Sequence, residues 1–184
     1  MKEDRILIRD AAQIVTCSGF KAKKGAEMSE LSVINDGAVA IDKGIIKAVG
    51  KTCDVLKIID VDDYHEISAK GQALIPGFVD SHTHFLFGGY REEEFSWRLK
   101  GDSYMSIMKQ GGGIINTTTD TRNMSYNDMY AKGYEQLNGM IKLGVTTVEG
   151  KSGYGLDLDT ELMQLRVMNE LSNTPKKMDA TVIS

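Results

Sequence analysis

After residue 70, the sequence alternates between short apolar, β-prone runs and longer segments with helical periodicity. Ala73–Asp80 is a nearly continuous apolar run, and Val145–Glu149 and Asp179–Ile183 are two further β-prone runs. Predicted helices lie between these runs, one over Ser125–Leu143 and one over residues 157–173. This order predicts a parallel sheet with helical crossovers, and the apolar run predicts a strand that is covered on both faces.

Residues 1–70 have a different pattern, made of short β-prone segments. Residues 5–16 predict two short strands. Gly37–Ile41 and Gly44–Gly50 flank a very short polar connection and predict a tight hairpin. The change of pattern predicts a domain boundary near residue 70.

The number of predicted strands limits what residues 71–184 can form. A closed (β/α)₈ barrel needs eight strands and typically about 250 residues, whereas three strands are predicted in this part of the chain. The sequence therefore leaves two alternatives, a small open sheet or the amino-terminal part of a longer barrel.

The apolar run leads into a pair of histidines at the end of the first predicted strand. His82 and His84 are two of the three histidines in the chain, and residues i and i+2 of a strand point the same way. Imidazole is a common ligand of zinc, iron and nickel, and barrel active sites lie at the carboxyl ends of the strands. The pair predicts half of a metal site; the alternative is two polar residues that cap a strand. The third histidine, His65, is predicted to be a surface or structural residue.

Two further residues could contact a substrate. Arg91 lies seven residues after His84, and its guanidinium could bind a carboxylate through two hydrogen bonds. The alternative, which composition alone favours, is a solvated arginine paired with one of the three glutamates that follow it. Tyr154 lies in the glycine-rich segment Glu149–Gly155 and could offer its phenol to a ligand. The alternative there is a flexible turn with an exposed tyrosine.

The glycine-rich segments do not match nucleotide-binding motifs. Gly144 lies six residues before Gly150, one more than the phosphate-loop pattern requires. Gly111–Gly113 are contiguous and lack the dinucleotide-binding spacing. This second segment lies in a long polar passage and predicts a mobile loop near the site.

Composition excludes several classes of partner and compartment. The net charge of −4 gives no general affinity for nucleic acid or anionic membranes, and no apolar run approaches the length of a membrane-spanning helix. The amino terminus is too charged to begin a signal peptide. Cys17 and Cys53 lack metal-site spacing, and we interpret them as reduced thiols in a cytoplasmic protein.

Several segments together resemble a known family. Asp42–Gly50 followed by Leu74–His84 resembles the metal-dependent amidohydrolases. The narrower segments Phe85–Phe95 and Glu149–Leu156 resemble the imidazolonepropionase family of histidine degradation. The resemblance runs from about residue 5 to the end of the chain, and it corresponds to somewhat under half of a full-length family member.

The resemblance implies a composite α/β fold. Residues 1–70 would form part of a small β-sandwich domain, and residues 71–184 would form the first strands and helices of a (β/α)₈ TIM-like barrel. In the family, carboxyl-terminal strands complete the sandwich. We therefore expect unpaired strand edges and exposed apolar faces, which favour oligomerisation or aggregation.

The resemblance also implies an activity and roles for the residues above. The reaction is the hydrolytic ring opening of 4-imidazolone-5-propanoate to N-formimidoyl-L-glutamate by a metal-activated water. His82 and His84 would bind one zinc or iron ion per full-length subunit. Arg91 and Tyr154 would contact the substrate or its product, with Arg91 anchoring the propanoate and so orienting the ring. A homodimer is implied for the full-length enzyme.

The remaining functional residues of the family, a later His and Asp ligand among them, have no counterpart before residue 184. The chain has no histidine after His84, and a catalytic zinc usually has three protein ligands. Asp157 and Asp159 lie at a helix start and are poor substitutes. We therefore expect no catalytic residue within this chain and no activity from these 184 residues alone.

Two alternatives stay open. The chain could belong to another amidohydrolase that acts on a different cyclic amide or amidine, or it could be a non-catalytic binding module. A turnover assay of the full-length protein with 4-imidazolone-5-propanoate distinguishes the first alternative from an imidazolonepropionase. Metal analysis of the chain tests the second alternative.

Overall fold

The computed structural model describes residues 4–19, 21–174 and, for the backbone alone, 181–183. The chain divides into two compact units, Met1–Pro76 and Gly77–Ser184. In chain order, the described elements of the first unit are β1 (Arg5–Val15), β2 (Val33–Asp42), β3 (Ile45–Lys51), α1 (Thr52–Ile58), β4 (His65–Ser68) and β5 (Ala73–Leu74).

The strands of the first unit form one mixed sheet in the order β3-β2-β1-β4, and β5 also pairs with β1. The predicted hairpin is confirmed: β2 and β3 are antiparallel, and Lys43 and Gly44 have φ values of 50° and 76°. Positive φ at both central residues is typical of a type I′ turn. The two strands predicted in residues 5–16 are a single strand, because a bulge between Ile8 and Ala11 shifts the register without ending the pairing.

The strands β2 and β1 bury side chains on both faces of this sheet. Val55 of α1 is buried in a cluster with Leu7, Ala38 and Ala40. Val39 alternates with its neighbours along β2 and belongs to a second cluster, which includes Ile14. The sheet therefore has one face covered by a short helix and a second face with its own apolar cluster.

The second unit contains a parallel sheet in the order β6-β7-β8. In chain order, its described elements are β6 (Phe78–Thr83), α2 (Glu92–Leu99), α3 (Tyr104–Lys109), α4 (Ile114–Asn123), α5 (Tyr126–Lys142), β7 (Val145–Gly150), α6 (Leu158–Asn173) and β8 (Thr181–Ile183). The predicted α/β fold with parallel strands is confirmed. Residues 179–180 of the third predicted strand lie outside the described residues.

Both predicted helices begin at a side-chain cap. The Ser125 hydroxyl accepts a hydrogen bond from the Asp128 amide at 3.2 Å, and the Asp157 carboxylate accepts one from the Thr160 amide at 2.9 Å. Such caps satisfy amide groups that have no partner within the helix. Asp157 is therefore a helix cap, and it also pairs with Arg122.

The first predicted strand of the barrel differs from the sequence prediction in two ways. Residues 73–80 are not one strand, because β5 pairs with β1 and β6 begins only at Phe78. Pro76, which has no amide hydrogen, separates them. The expected cover on both faces is also wrong: Phe78 and Val79, which point to opposite faces of β6, are 52% and 66% exposed.

The long polar passage, for which no helix was predicted, contains the three helices α2, α3 and α4. Their signal was weak because α4 buries threonines, Thr117, Thr118 and Thr121, instead of apolar side chains. Gly111–Gly113 form only the turn between α3 and α4, and Gly113 takes φ of 79° at the start of α4. The loop predicted at Gly111–Gly113 is thus a short turn, and the helices on either side of it were not predicted.

The core of the second unit lies between the sheet and the helices α5 and α6. Gly133 of α5 brings this helix close to Leu86 and Leu171. The buried residues of this cluster are Phe85, Leu86, Met129, Leu137, Val148, Val167, Met168 and Leu171. Among the described helices, none has the length and apolar character needed to cross a membrane.

Candidate active site

The site lies at the carboxyl ends of β6 and β7. These strands are parallel, and Thr83 pairs with Gly150 at their ends. The Lys151 amide donates a hydrogen bond to the Thr83 carbonyl at 2.9 Å, so the loop after β7 continues beside the end of β6. This pairing brings the two sequence segments that carry His84 and Tyr154 together.

The two histidines have a spacing that suits a shared metal ion. The ring centroids of His82 and His84 are 5.5 Å apart, at an interplanar angle of 63°. Two imidazoles that bind one tetrahedral zinc ion through Zn–N bonds of about 2 Å have ring centroids roughly 5 Å apart. Nδ1 of His84 is buried and has no hydrogen-bond partner within the described part of the chain. A buried nitrogen without a partner is unfavourable unless a ligand or ion satisfies it.

Within the described residues, no third donor completes a metal site around this pair. Across residues 4–19 and 21–174, no group of three or more His, Cys, Asp and Glu side chains has metal-site geometry. His65 is an exposed residue of β4 in the first unit. His82 and His84 therefore have the side-chain chemistry and the spacing of two ligands of one metal ion.

Glu149 is a charged residue beside this pair that the sequence analysis did not single out. Its carboxylate pairs with Lys151, and the hydrogen bond and charge of Lys151 lower the pKa of Glu149, with a small further contribution from His82. Glu149 therefore stays ionised at neutral pH. Its position at the carboxyl end of a parallel strand was the signal that could have identified it.

Tyr154 is packed against His84. Their ring centroids are 5.1 Å apart at 69°, and the Tyr154 ring is also 6.1 Å from the ring of Phe87. Gly153 takes φ of 134°, and a Cβ there would lie 3.1 Å from Cε1 of His84. The loop is therefore fitted closely to the imidazole, and Tyr154 is half-buried instead of lying in an exposed turn.

Side chains of α6 and α4 form hydrogen bonds with the loop that carries Tyr154. The Glu161 carboxylate accepts hydrogen bonds from the amides of Gly155 and Leu156, both at 2.8 Å. Arg122 donates to the carbonyl of Gly155 at 2.6 Å. Desolvation raises the pKa of Glu161, but hydrogen bonds from Ser152 and the loop amides outweigh it and lower the pKa overall. An ionised Glu161 thus fixes the loop.

Arg91 lies at the start of α2 and contacts both a glutamate and a cavity. Its Nη1 is 4.0 Å from Oε2 of the buried Glu94, so the predicted pairing with a following glutamate is present. The same residue lines a cavity of about 300 Å³. We call this space the aromatic cavity; its lining residues are Phe87, Tyr90, Arg91, Thr117 and Tyr154.

Four residues of this region, Thr117 among them, were missed by the sequence analysis. Phe87 and Tyr90 line the aromatic cavity, and Lys132 of α5 lies over both of their rings. Lys132 lies 42 residues after Tyr90 in the sequence. No local pattern could have linked them, because only the packing of α5 brings them together.

Sequence comparison gives relatives that match nearly the whole chain. The chain is 63% identical over 174 residues to a protein named imidazolonepropionase from Parabacteroides distasonis, which covers 95% of this chain and 42% of the relative. It is 51% identical over 171 residues to an imidazolonepropionase from Clostridium tetani, with coverage of 93% and 41%. The chain thus spans about two fifths of the length of these relatives. No protein-family model matches the sequence.

Solved structures give the fold. Ochratoxinase from A. niger matches 97% of this chain and 30% of its own, with a TM-score of 0.56 and 17% identity. Guanine deaminase from E. coli matches 91% of this chain and 34% of its own, with a TM-score of 0.56 and 16% identity. The arrangement of strands and helices is that of a partial amidohydrolase fold. Over nearly its whole length, the chain is related to the amino-terminal part of the imidazolonepropionases.

Proposed function

We propose that this chain contributes to an imidazolonepropionase, which hydrolyses 4-imidazolone-5-propanoate to N-formimidoyl-L-glutamate. The observation that carries the proposal is the position of Arg91 and Tyr154 on one cavity, with Tyr154 packed against His84. The identity of 63% to a protein of that name supports the same substrate. An arginine and three aromatic side chains suit a small planar ring that carries a carboxylate.

Different residues of the chain would bind the carboxylate, the ring and the metal ion. Arg91 would bind the propanoate carboxylate, and Tyr154 would contact the ring from the side of His84. His82 and His84 would hold a zinc or iron ion. When bound, such an ion supplies Lewis acidity for the activation of water and of the ring carbonyl.

The chemistry requires addition of one water molecule. The water oxygen bonds to the ring carbonyl carbon, the bond from that carbon to the ring nitrogen breaks, and the nitrogen gains a proton. Arg91 contributes by orienting the ring, since a fixed carboxylate limits how the carbonyl can face the metal site. The Glu149 carboxylate is neutralised by its ion pair with Lys151, so cation binding would depend on the imidazoles of His82 and His84.

We also propose a location and an assembly for the protein. The exposed thiols of Cys17 and Cys53 suit the reducing cytoplasm. A homodimer would be the working form at full natural length. Sedimentation velocity of that protein tests the assembly directly.

The experiment that tests the function is a turnover assay on the protein at its full natural length. Loss of 4-imidazolone-5-propanoate is followed by absorbance, and Arg91→Met is compared with Arg98→Met. Both arginines approach Glu94, but Arg98 does not line the aromatic cavity. We expect Arg91→Met to lower kcat/KM about 10- to 100-fold, as for loss of a charged hydrogen bond, and Arg98→Met to lower it less than about threefold.

Two results would contradict the proposal. A wild-type protein that opens a different cyclic amide, but not this imidazolone, would indicate another amidohydrolase. Equal losses in the two arginine variants would remove Arg91 from the binding site.

A further inference from the structure

The segment Phe87–Tyr90 lies in the connection between β6 and α2, directly before Arg91, and forms one wall of the aromatic cavity. The ring centroids of Phe87 and Tyr90 are 5.7 Å apart, at an interplanar angle of 86°. Both rings line the cavity. Because Arg91 follows directly, the conformation of this segment also decides where the guanidinium lies.

Helix α4 fixes the middle of this segment. The Gly88 amide donates a hydrogen bond to Oγ1 of Thr121 at 2.8 Å. Gly89 takes φ of 62°, and any Cβ at Gly88 or Gly89 would collide with Asp120. The two glycines therefore allow a close approach that larger residues would prevent.

Lys132 of α5 holds the two aromatic ends of the same segment. Its Nζ lies 4.4 Å from the ring centroid of Phe87 and 4.1 Å from that of Tyr90. It also donates a hydrogen bond to the Gly89 carbonyl at 3.1 Å. An ammonium within about 6 Å of a ring centroid is attracted by the ring quadrupole. One side chain thus contacts three of the four residues of this wall.

The charge environment of Lys132 is consistent with this role. Burial lowers the pKa of its ammonium, while the charges of Asp120 and Glu135 favour the protonated form. A cation that has lost part of its hydration gains more from aromatic faces than an exposed cation does. Gln136, on the same helix, donates to the Tyr90 hydroxyl at 2.9 Å, so α5 holds Tyr90 at two points.

We propose that Lys132 is a positioning residue that fixes the Phe87 and Tyr90 rings and thereby sets the affinity of the aromatic cavity for a planar ring with a carboxylate. This inference rests on the proposed function. Lys132 lies behind the wall, because the lining consists of Phe87, Tyr90, Arg91, Thr117 and Tyr154. Phe87 also packs against Tyr154, so a shift of its ring alters both sides of the cavity.

The kinetic test uses three variants of the protein at its full natural length. Lys132→Met keeps the aliphatic chain without the cation, Lys132→Arg restores a cation, and Lys142→Met is the control at an exposed position of the same helix. We expect Lys132→Met to raise KM about tenfold with kcat within about twofold of wild type. Lys132→Arg should recover most of the affinity, and Lys142→Met should match wild type.

An NMR experiment detects the contact between Lys132 and the two aromatic rings without an activity assay. In protein labelled with ¹³C at the lysine Cε atoms, the ring currents of Phe87 and Tyr90 should shift the Hε signals of one lysine upfield. Lys132→Met, or Lys132→Arg if the first variant does not fold, should remove that signal. Lys142→Met should leave it in place.

The outcomes separate the two proposals. An active enzyme in which Lys132→Met keeps the wild-type KM, or in which Lys132→Arg is no better than Lys132→Met, overturns the role of Lys132 alone. A spectrum without an upfield lysine signal overturns it as well. A wild-type protein that shows the shifted signal but opens no imidazolone ring overturns the proposed function, and the role in substrate affinity with it.

Discussion

Gly153 shows how closely single residues are fitted around His84. Its φ of 134° suits glycine, and an added Cβ would lie 3.1 Å from the imidazole Cε1. We expect Gly153→Ala to lower zinc affinity about tenfold, because changes next to metal ligands commonly cost 10- to 100-fold. Competition with a chelating dye measures this affinity.

Gly101→Ala is the matched control for this substitution. Gly101 also has a positive φ, 88°, but an added Cβ there meets no atom within 4 Å. It therefore introduces the backbone strain without the contact to His84. Equal zinc affinities in the two variants would show that the contact with His84 has no effect.

Glu161 gives a pH dependence at the residue scale. Because loop hydrogen bonds outweigh desolvation, its pKa in the folded state is lower than in the unfolded state. The stabilisation is therefore present above the unfolded pKa, about 4.3 for glutamate, and it is lost as the pH falls through the lower folded value. We expect Glu161→Gln to be less stable than wild type at pH ~7 and nearly equal to it once the pH is below that folded value.

Urea unfolding at neutral and acidic pH measures this difference. Glu92→Gln is the control, since Glu92 is exposed in the first turn of α2. A gap between wild type and Glu161→Gln that stays constant with pH would contradict the role of the ionised carboxylate. The hydrogen bonds to Gly155 and Leu156 would then contribute equally in either protonation state.

At the scale of elements, α5 was predictable, whereas α2 to α4 were not. Helix α5 has regular apolar spacing and a serine cap, and both signals are local. The short helix α3 has a serine cap but few buried side chains, and α4 buries threonines. Hydrophobic periodicity cannot detect such helices, because tertiary contacts stabilise them instead.

Two glycines of α5 give a paired prediction for this element. Gly139 has open space around an added Cβ, whereas a Cβ at Gly133 would lie 2.5 Å from Leu86 Cδ2 and 2.8 Å from Leu171 Cδ1. We expect Gly139→Ala to raise the free energy of unfolding by about 0.5–1 kcal/mol. Gly133→Ala should lower it by about 1–3 kcal/mol through overpacking.

Urea denaturation of the two variants compares their free energies of unfolding. They share the helix and the chemical change, so helix propensity acts equally on both. If Gly133→Ala were stabilised as much as Gly139→Ala, the close packing of α5 on Leu86 would be wrong.

At the scale of the whole molecule, the chain exposes apolar surface. In the first unit, Ile46 and Val49 of β3 are 63% and 46% exposed, beside an apolar cavity of about 330 Å³. We expect the 184-residue chain to self-associate, and the double substitution Ile46→Lys and Val49→Lys to reduce this association. Light scattering after size-exclusion chromatography gives the mass of each form.

Ile58→Lys serves as the control for these charged substitutions. Ile58 of α1 is 71% exposed but does not line the apolar cavity. The Ile58→Lys variant tests whether an added charge at any exposed position reduces self-association. If Ile58→Lys reduced self-association as much as the double substitution does, the exposed apolar residues of β3 would not be its cause.

The features of this protein that depend on local signals could be predicted from the amino-acid order alone. Strand alternation, helix caps and the histidine spacing act within a few residues, so the α/β fold and the side-by-side imidazoles of His82 and His84 were predictable. The composition of the aromatic cavity and the helices α2 to α4 depend instead on long-range packing. Phe87, Tyr90 and Lys132 meet because α5 packs against the segment after β6, and contacts between residues so distant in sequence leave no periodic pattern.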